Sequence, residues 1–414
     1  MTASTVDSSV FTAVPFRIVE LSRMQSDEAL QSLLQRATDL RASDLFLLSD
    51  ERYVTVAVRR FGAMERLAVV STELGRQLMS QIKAQAAMDI CEKRRPADGR
   101  WIVACGDSQL DLRLNFTPTL HGEDLTIRIC DRSRGSYRLD ELGLAPALQQ
   151  ELVQMLNQPG GLLLVTGPTG AGKTTTLYAC LRYLNDGTRK INTLEDPIEY
   201  ALDGVRQSQV NPRIGLDFPE LFRHVLRQAP DVVMIGEIRD GETMMTAVRA
   251  ANSGQLVLAT LHSPTAAGAV TSMLALEANP HFLSASLLGV LSQRLFRSLC
   301  RECRIPVGPE TSYLSTEEIS RLSEPAETVT AYKAGGCDRC FQTGYAGRTG
   351  VFELMSASLP IRQLIAHSAP VQQIRQAALR GGMIDLRQSA LTKVLRGEIS
   401  SEDVQAGMAA EQFG

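Results

Sequence analysis

The spacing of apolar positions changes character several times along the chain. Leu30, Leu33, Leu34, Ala37 and Leu40 recur at helical intervals, which predicts an amphipathic helix over 27–39. At 53–59 the period drops to two, and Val54, Val56 and Val58 share one face, the pattern of a half-buried strand. A second helix over about 72–87 and strands near 100–103, 110–116 and 125–129 complete a small α+β domain at 26–133, behind a polar tail at 1–25. The polar cluster at 131–136 breaks the pattern and opens a linker that we extend over 134–150.

Beyond residue 150 the pattern becomes short, fully apolar strands at 162–166, 190–194, 232–235 and 256–260, separated by helical stretches. That alternation predicts a parallel sheet wrapped by helices, an α/β core over 151–299. Asp217 and Pro219 stand in capping positions for a helix at about 218–228, and Gly254 closes one that begins near 242. The chain is irregular over 300–340 and helical from about 360, within a last part at 341–414. No internal repeat or low-complexity segment interrupts it.

The first of those strands ends in GPTGAGKT, residues 167–174. Glycines let successive backbone N–H groups curve around phosphate oxygens, a lysine brings a point charge to the terminal phosphates, and a threonine offers its hydroxyl to Mg²⁺. Gly167, Pro168, Thr169, Gly170, Ala171, Gly172, Lys173, Thr174 and Thr175 are therefore the candidate ATP-binding residues, with Thr174 the Mg²⁺ ligand. The helix that such a loop requires follows at 175–184, with Leu177, Leu181 and Leu184 on one stripe.

Three further strand ends carry chemistry. DVVMIGE at 231–237 is an apolar strand running into an acid, and Glu237 is placed to orient or deprotonate a water; its other reading is an ion pair with Arg239 or a helix cap. TLEDPIEY at 193–200 sets Glu195, Asp196 and Glu199 after another strand, where a metal or water role competes with a solvated loop. GQLVLATLH at 254–262 delivers His262, for which catalysis and structural hydrogen bonding are both open.

Composition narrows the class. With 414 residues, 44% hydrophobic, 21% charged and a formal net charge of −3, the chain has material for two or three cores and no basic excess for nucleic acid or anionic lipid. No apolar run is long enough to span a bilayer, and the start lacks a secretory signal, so a cytoplasmic protein is expected. Of eight cysteines, Cys300 with Cys303 and Cys337 with Cys340 form two CxxC knuckles, which together offer four thiolates for a closed, structural Zn²⁺. Cys91, Cys105, Cys130 and Cys180 follow no spacing and read as buried small apolar residues.

GPTGAGKT, INTLEDPIEY, FRHVLRQAPDVVMIGEIRD and GQLVLATLH stand in the order of the Walker A, Asp box, Walker B and His box of the secretion ATPase superfamily. The tetracysteine and the C-terminal GRTGVFELM and LRQSALTKVLRGEISSEDV resemble its type II secretion and type IV pilus assembly branch, over about residues 42–404. The resemblance implies a PAS-like N-terminal domain before a RecA-like P-loop ATPase domain, assembled as a homohexameric ring. It implies an ATP-hydrolysing motor that acts through an inner-membrane platform protein, peripheral to that membrane, with membrane contact only through partners and no nucleic acid. It also places Arg113 and Arg128 where the family presents arginines to a neighbouring subunit's nucleotide; exposed arginines paired with acids are the alternative. Arg223 and Arg227, one helical turn apart, are further candidates. Gln255, Phe46 and Ala229 depart from the family pattern, where a histidine, a histidine and an acid are usual. A pilus retraction motor, a RecA-like nucleic-acid translocase and a weakly hydrolysing regulator are the competing functions. The cysteine knuckles argue against the first, and near-neutral charge with 5% aromatics against the second.

Overall fold

The computed structural model describes residues 24–106, 108–131, 137–308 and 330–408. It divides into two compact units, one of residues 1–135 with 336–343 and one of 136–335 with 344–414.

The first unit is built on helices α1 (Ser26–Asp39) and α2 (Thr72–Gln85) and strands β1 (Asp44–Ser49), β2 (Tyr53–Arg60), β3 (Ala63–Ser71), β4 (Ala97–Cys105), β5 (Ser108–Thr119) and β6 (Gly122–Asp131). The strands form one antiparallel sheet in the order β3-β2-β1-β6-β5-β4. Alternation along β5 sends Leu110, Leu112, Leu114 and Phe116 into a core shared with Leu33 and Leu34 of α1 and Leu78 and Ile82 of α2. The Ser71 hydroxyl caps α2 by accepting from the Leu74 N–H at 3.2 Å. β1 and β3 were not expected from the sequence. β1 is buried over four successive residues, so it has no period to betray it, and the pairing of β3 with β2 is broken by a bulge. The segment 336–343 belongs with this unit: Phe341 packs against its core, and Arg60, itself buried, donates to the Cys340 carbonyl at 2.9 Å and to Thr343 Oγ1.

The second unit begins with α3 (Pro146–Leu156) and then alternates β7 (Gly161–Thr166), α4 (Lys173–Leu184), β8 (Ile191–Glu195), β9 (Arg206–Gln209), α5 (Phe218–Leu226), β10 (Val232–Ile235), α6 (Gly241–Asn252), β11 (Leu256–Leu261), α7 (Ala266–Ala275) and α8 (Pro280–Ser286). β12 (Leu287–Leu299), the short pair β13 (Ile305–Val307) and β14 (Ala331–Lys333), and β15 (Tyr345–Ser356) follow, and four helices over Leu359–Met408 close the described chain. The main sheet runs β15-β12-β7-β11-β10-β8-β9, parallel throughout except for the β12–β15 pair. The sheet is covered on both faces: Leu162 and Leu164 of β7 enter one core with α6 and α7, while Leu163 and Val165 enter another with α3 and α4. With both faces buried, only the strand ends can meet solvent and ligand. Asp217 caps α5 as expected, accepting from the Glu220 N–H at 2.9 Å. β9, β12 and β15 were not expected; β12 carries Gln293 and Arg294 in its middle, a composition that does not announce a buried central strand.

Candidate active site

Three adjacent parallel strands, β7, β11 and β10, end on one edge of the sheet and bring three motifs together. After β7 the phosphate loop turns through left-handed backbone at Gly167, Gly170 and Gly172 (φ 143°, 79° and 86°), and Lys173 opens α4. Pro168, Thr169, Gly170 and Thr174 are exposed, Gly172, Lys173 and Thr175 half-buried, and Ala171 buried. The Lys173 ammonium donates to the Gly167 carbonyl at 2.8 Å and the Pro168 carbonyl at 3.3 Å, and lies 3.3 Å from Nδ1 of His262 at the end of β11. Burial lowers the Lys173 pKa, and the nearby Glu237 carboxylate acts the other way.

Nε2 of His262 lies 2.7 Å from Oε1 of Glu237, at the end of β10. An ammonium has only donors, so Nδ1 accepts from Lys173 and the ring proton sits on Nε2, donating to Glu237. The other Glu237 oxygen accepts from Arg239 at 2.7 Å, and Arg239 lies 3.6 Å from Asp196 at the end of β8. The ion pair with Arg239 and a place beside Lys173 thus hold at once, and the cap of α6 is Asp240 rather than Glu237. Hydrogen bonding along Lys173, His262, Glu237 and Arg239 gives an alternating chain of donors and acceptors across the strand ends.

Glu195 is set differently. It is buried, and its two oxygens accept from Tyr178 Oη, from Thr193 Oγ1 at 2.6 Å and from Gln207 Nε2 at 3.0 Å. Burial raises its pKa against those donors and raises that of Tyr178 as well. The Glu199 N–H is 3.4 Å from the same tyrosine oxygen, and Tyr178 meets Tyr200 edge to face at 4.7 Å. Neither Tyr178 nor Gln207 stands out in the sequence, because each meets the turn from a separate element, α4 or β9, whose packing is set by the fold.

Arg113 and Arg128 lie in the first unit as direct register partners across β5 and β6. The same row continues to Arg100 on β4, Asp44 on β1 and Arg59 on β2. Directly opposite residues share a face, so four arginines line one row of this sheet, with Arg100 held 2.6 Å from Asp111 and Arg128 held 3.3 Å from Asp44. Arg59 and Arg100 escaped the sequence reading because only strand register sets them there. Arg223 pairs with Glu242.

The sulfurs of Cys300, Cys303, Cys337 and Cys340 lie within 4.8 Å of one another and none is in a disulfide. Cys337 Sγ and Cys340 Sγ are 3.7 Å apart, close to the edge of about 3.8 Å expected for thiolates around a tetrahedral Zn²⁺ with bonds of about 2.3 Å. The donor set fits a closed metal site. Of the other cysteines only Cys180 is buried, its thiol pushed up to about 12 by desolvation; Cys91 is exposed and Cys105 and Cys130 half-buried, which corrects the expectation of four buried residues.

A phosphate loop, an acid and a histidine on the ends of neighbouring parallel strands define a P-loop ATPase. A profile of the family described as Type II/IV secretion system protein matches residues 22–406, and the chain belongs to that family. The Type II secretion system ATPase E of Vibrio cholerae is 40% identical over 377 residues, covering 91% of this chain and 74% of that protein. The Type IV pilus assembly ATPase PilB of Thermus thermophilus is 36% identical over 388 residues, 94% of this chain and 43% of its own. The solved structure of the Legionella pneumophila ATPase DotB shares the fold, with a TM-score of 0.70 over 97% of this chain and 99% of that one at 18% identity. The protein is a secretion ATPase that hydrolyses ATP. No described helix is long and apolar enough to cross a membrane.

Proposed function

We propose that the chain is the motor of a type II secretion or type IV pilus assembly machine, turning over ATP in a homohexameric ring at the cytoplasmic face of the inner membrane and acting there on a platform protein. The observation that supports its chemistry most directly is the placement of Lys173, His262 and Glu237 at the ends of three neighbouring strands, with 3.3 and 2.7 Å between successive partners.

In this reading the triphosphate enters over Gly167–Thr174 and draws the Lys173 ammonium from the Gly167 and Pro168 carbonyls onto phosphate oxygens. His262, losing its donor, keeps its Nε2 proton on Glu237 and fixes the direction of that carboxylate. Glu237 orients the attacking water and takes its proton, while Arg239 holds the second carboxylate oxygen. Mg²⁺ would be held by Thr174 and would supply charge neutralisation at the phosphates. Glu195, buried with three donors on its carboxylate where Glu237 keeps some exposure, shapes the turn that carries Asp196, and Glu199 borders the same turn. Arg113 and Arg128 present charge to the nucleotide of a neighbouring copy. Zn²⁺ at Cys300, Cys303, Cys337 and Cys340 is structural.

Glu237→Gln tests this reading. It removes the base and leaves the phosphate cradle, so ADP affinity measured by calorimetry should stay near wild type while turnover falls about 10²- to 10⁴-fold. Equal loss of binding and turnover would instead make Glu237 a structural or metal-holding residue.

A further inference from the structure

The phosphate loop is gripped at both ends by one residue of a strand that carries none of the ATPase motifs. Gln293 lies on β12, buried and adjacent to β7. Its main-chain carbonyl sits where a Cβ on Gly167 would meet it at 2.3 Å, so β12 forbids a side chain at the start of the loop. Its side-chain Nε2 donates to the Ala171 carbonyl at 2.7 Å, inside the protein, near the loop's end. A carbonyl accepts and never donates, so the contact itself decides which end of the amide faces Ala171.

We propose that Gln293 is a positioning residue for nucleotide binding: by holding the Ala171 carbonyl it turns the Ala171–Gly172 peptide so that the Gly172 N–H faces the phosphate. The peptide is trans, so its N–H points opposite its C=O. Pulling the carbonyl towards β12 therefore aims the N–H away from β12, at the start of α4, where the phosphate-loop reading would seat a phosphate. The Ala171 N–H is already committed to the Pro168 carbonyl at 3.1 Å, and the Gly172 carbonyl to the Thr176 N–H at 3.1 Å. The amide of Gly172 is the group that the glutamine orients.

Packing alone does not account for an amide here. Gln293 Oε1 is buried without a hydrogen-bond partner among the described residues. A leucine would fill nearly the same volume and remove the unpartnered Oε1, at the cost of leaving the Ala171 carbonyl without its donor. The polar side chain is matched by one observed benefit, the bond to Ala171.

The inference rests on the proposal that Gly167–Thr174 binds the phosphates, and the experiment separates the two. ADP affinity is measured by calorimetry on the full chain for wild type, Gln293→Leu, Gln293→Met and Lys173→Ala, with thermal unfolding of each recorded without nucleotide. We expect Gln293→Leu and Gln293→Met, which exchange an unpartnered Oε1 for an unpartnered Ala171 carbonyl, to unfold close to the wild-type temperature while the Kd for ADP rises about tenfold, the value of one net hydrogen bond and its orienting effect. KM for ATP should rise with it, and kcat should change less. Wild-type ADP affinity in either folded Gln293 variant overturns the proposal, as does a fall in unfolding temperature in both variants that tracks the loss of binding, which would make the glutamine merely structural. Lys173→Ala should bind ADP far more weakly; if it binds as wild type, the phosphate-loop reading fails and the Gln293 proposal falls with it.

Discussion

The two sheets place their functional groups in different ways. In the seven-stranded sheet β7, β8, β10 and β11 are buried at every residue, and Lys173, Glu237 and His262 follow strand ends because no face is left for them. In the six-stranded sheet β4 alternates between half-buried and exposed positions, and the arginines at 59, 100, 113 and 128 lie along one register row on the face away from α1 and α2. A sheet covered on both sides offers ligands its edges, where helix N-termini and turns supply hydrogen bonds. A sheet covered on one side offers a row of side chains about 5 Å apart.

That contrast fails if the arginine row is only surface charge, so the row is the first place to press. Arg113→Ala and Arg128→Ala should each lower turnover by about 10³-fold, the scale of an arginine supplied to a transferring phosphoryl group, whereas Arg59→Ala and Arg100→Ala should stay within about tenfold. Mixing inactive Arg113→Ala with inactive Lys173→Ala subunits sharpens the point. Turnover should reappear, because mixed rings set an intact arginine against an intact phosphate loop; no recovery at any ratio would place the arginine's action within its own chain or nowhere.

The tetracysteine centre uses neither sheet's device and should respond to neither set of changes. Cys300→Ser or Cys337→Ser should release about one zinc per chain, read by elemental analysis, and open the surrounding segment to protease. Metal and local fold share a free energy on the order of 10 kcal/mol in small zinc peptides. ADP affinity should hold near wild type, and its loss would tie the metal to the nucleotide site.

The smallest effect belongs to the buried acid behind the strand ends. Burial raises the Glu195 pKa, so the folded chain holds that proton to higher pH than the unfolded chain. Its contribution is most favourable at low pH and is lost as pH rises from the unfolded carboxylate range, about 4.3, through the raised folded value. Glu195→Gln keeps acceptors for Thr193 and Gln207 and a group for Tyr178, so it should fold and show a flatter dependence of denaturant stability on pH above that range. An unchanged slope would mean that Glu195 does not titrate differently in the folded chain.

Much of this was legible without coordinates. The loop GPTGAGKT, the acid of DVVMIGE and the histidine of GQLVLATLH each announced themselves because a strand, a turn and a reactive residue are neighbours in the chain, and the two CxxC knuckles did so because thiolate spacing is a local property. The parts that stayed hidden are those that depend on what lies across from them. Tyr178 and Gln207 close on Glu195 from a helix and an edge strand, Arg60 reaches a segment 280 residues away, and Gln293 holds the phosphate loop from 122 residues further along.

The amino-acid sequence by itself determined the residue types and local turns proposed to bind phosphate and metal, since glycine dihedrals, lysine charge and cysteine chemistry act within a few residues. It also determined which stretches could be buried on both faces. Only the tertiary structure decided that Lys173, His262 and Glu237 meet, that four arginines stand in one row, and that a glutamine on β12 orients the loop. Strand order and register are collective outcomes of burying whole faces at once, and a shift of one residue would turn every side chain of a strand to its other face.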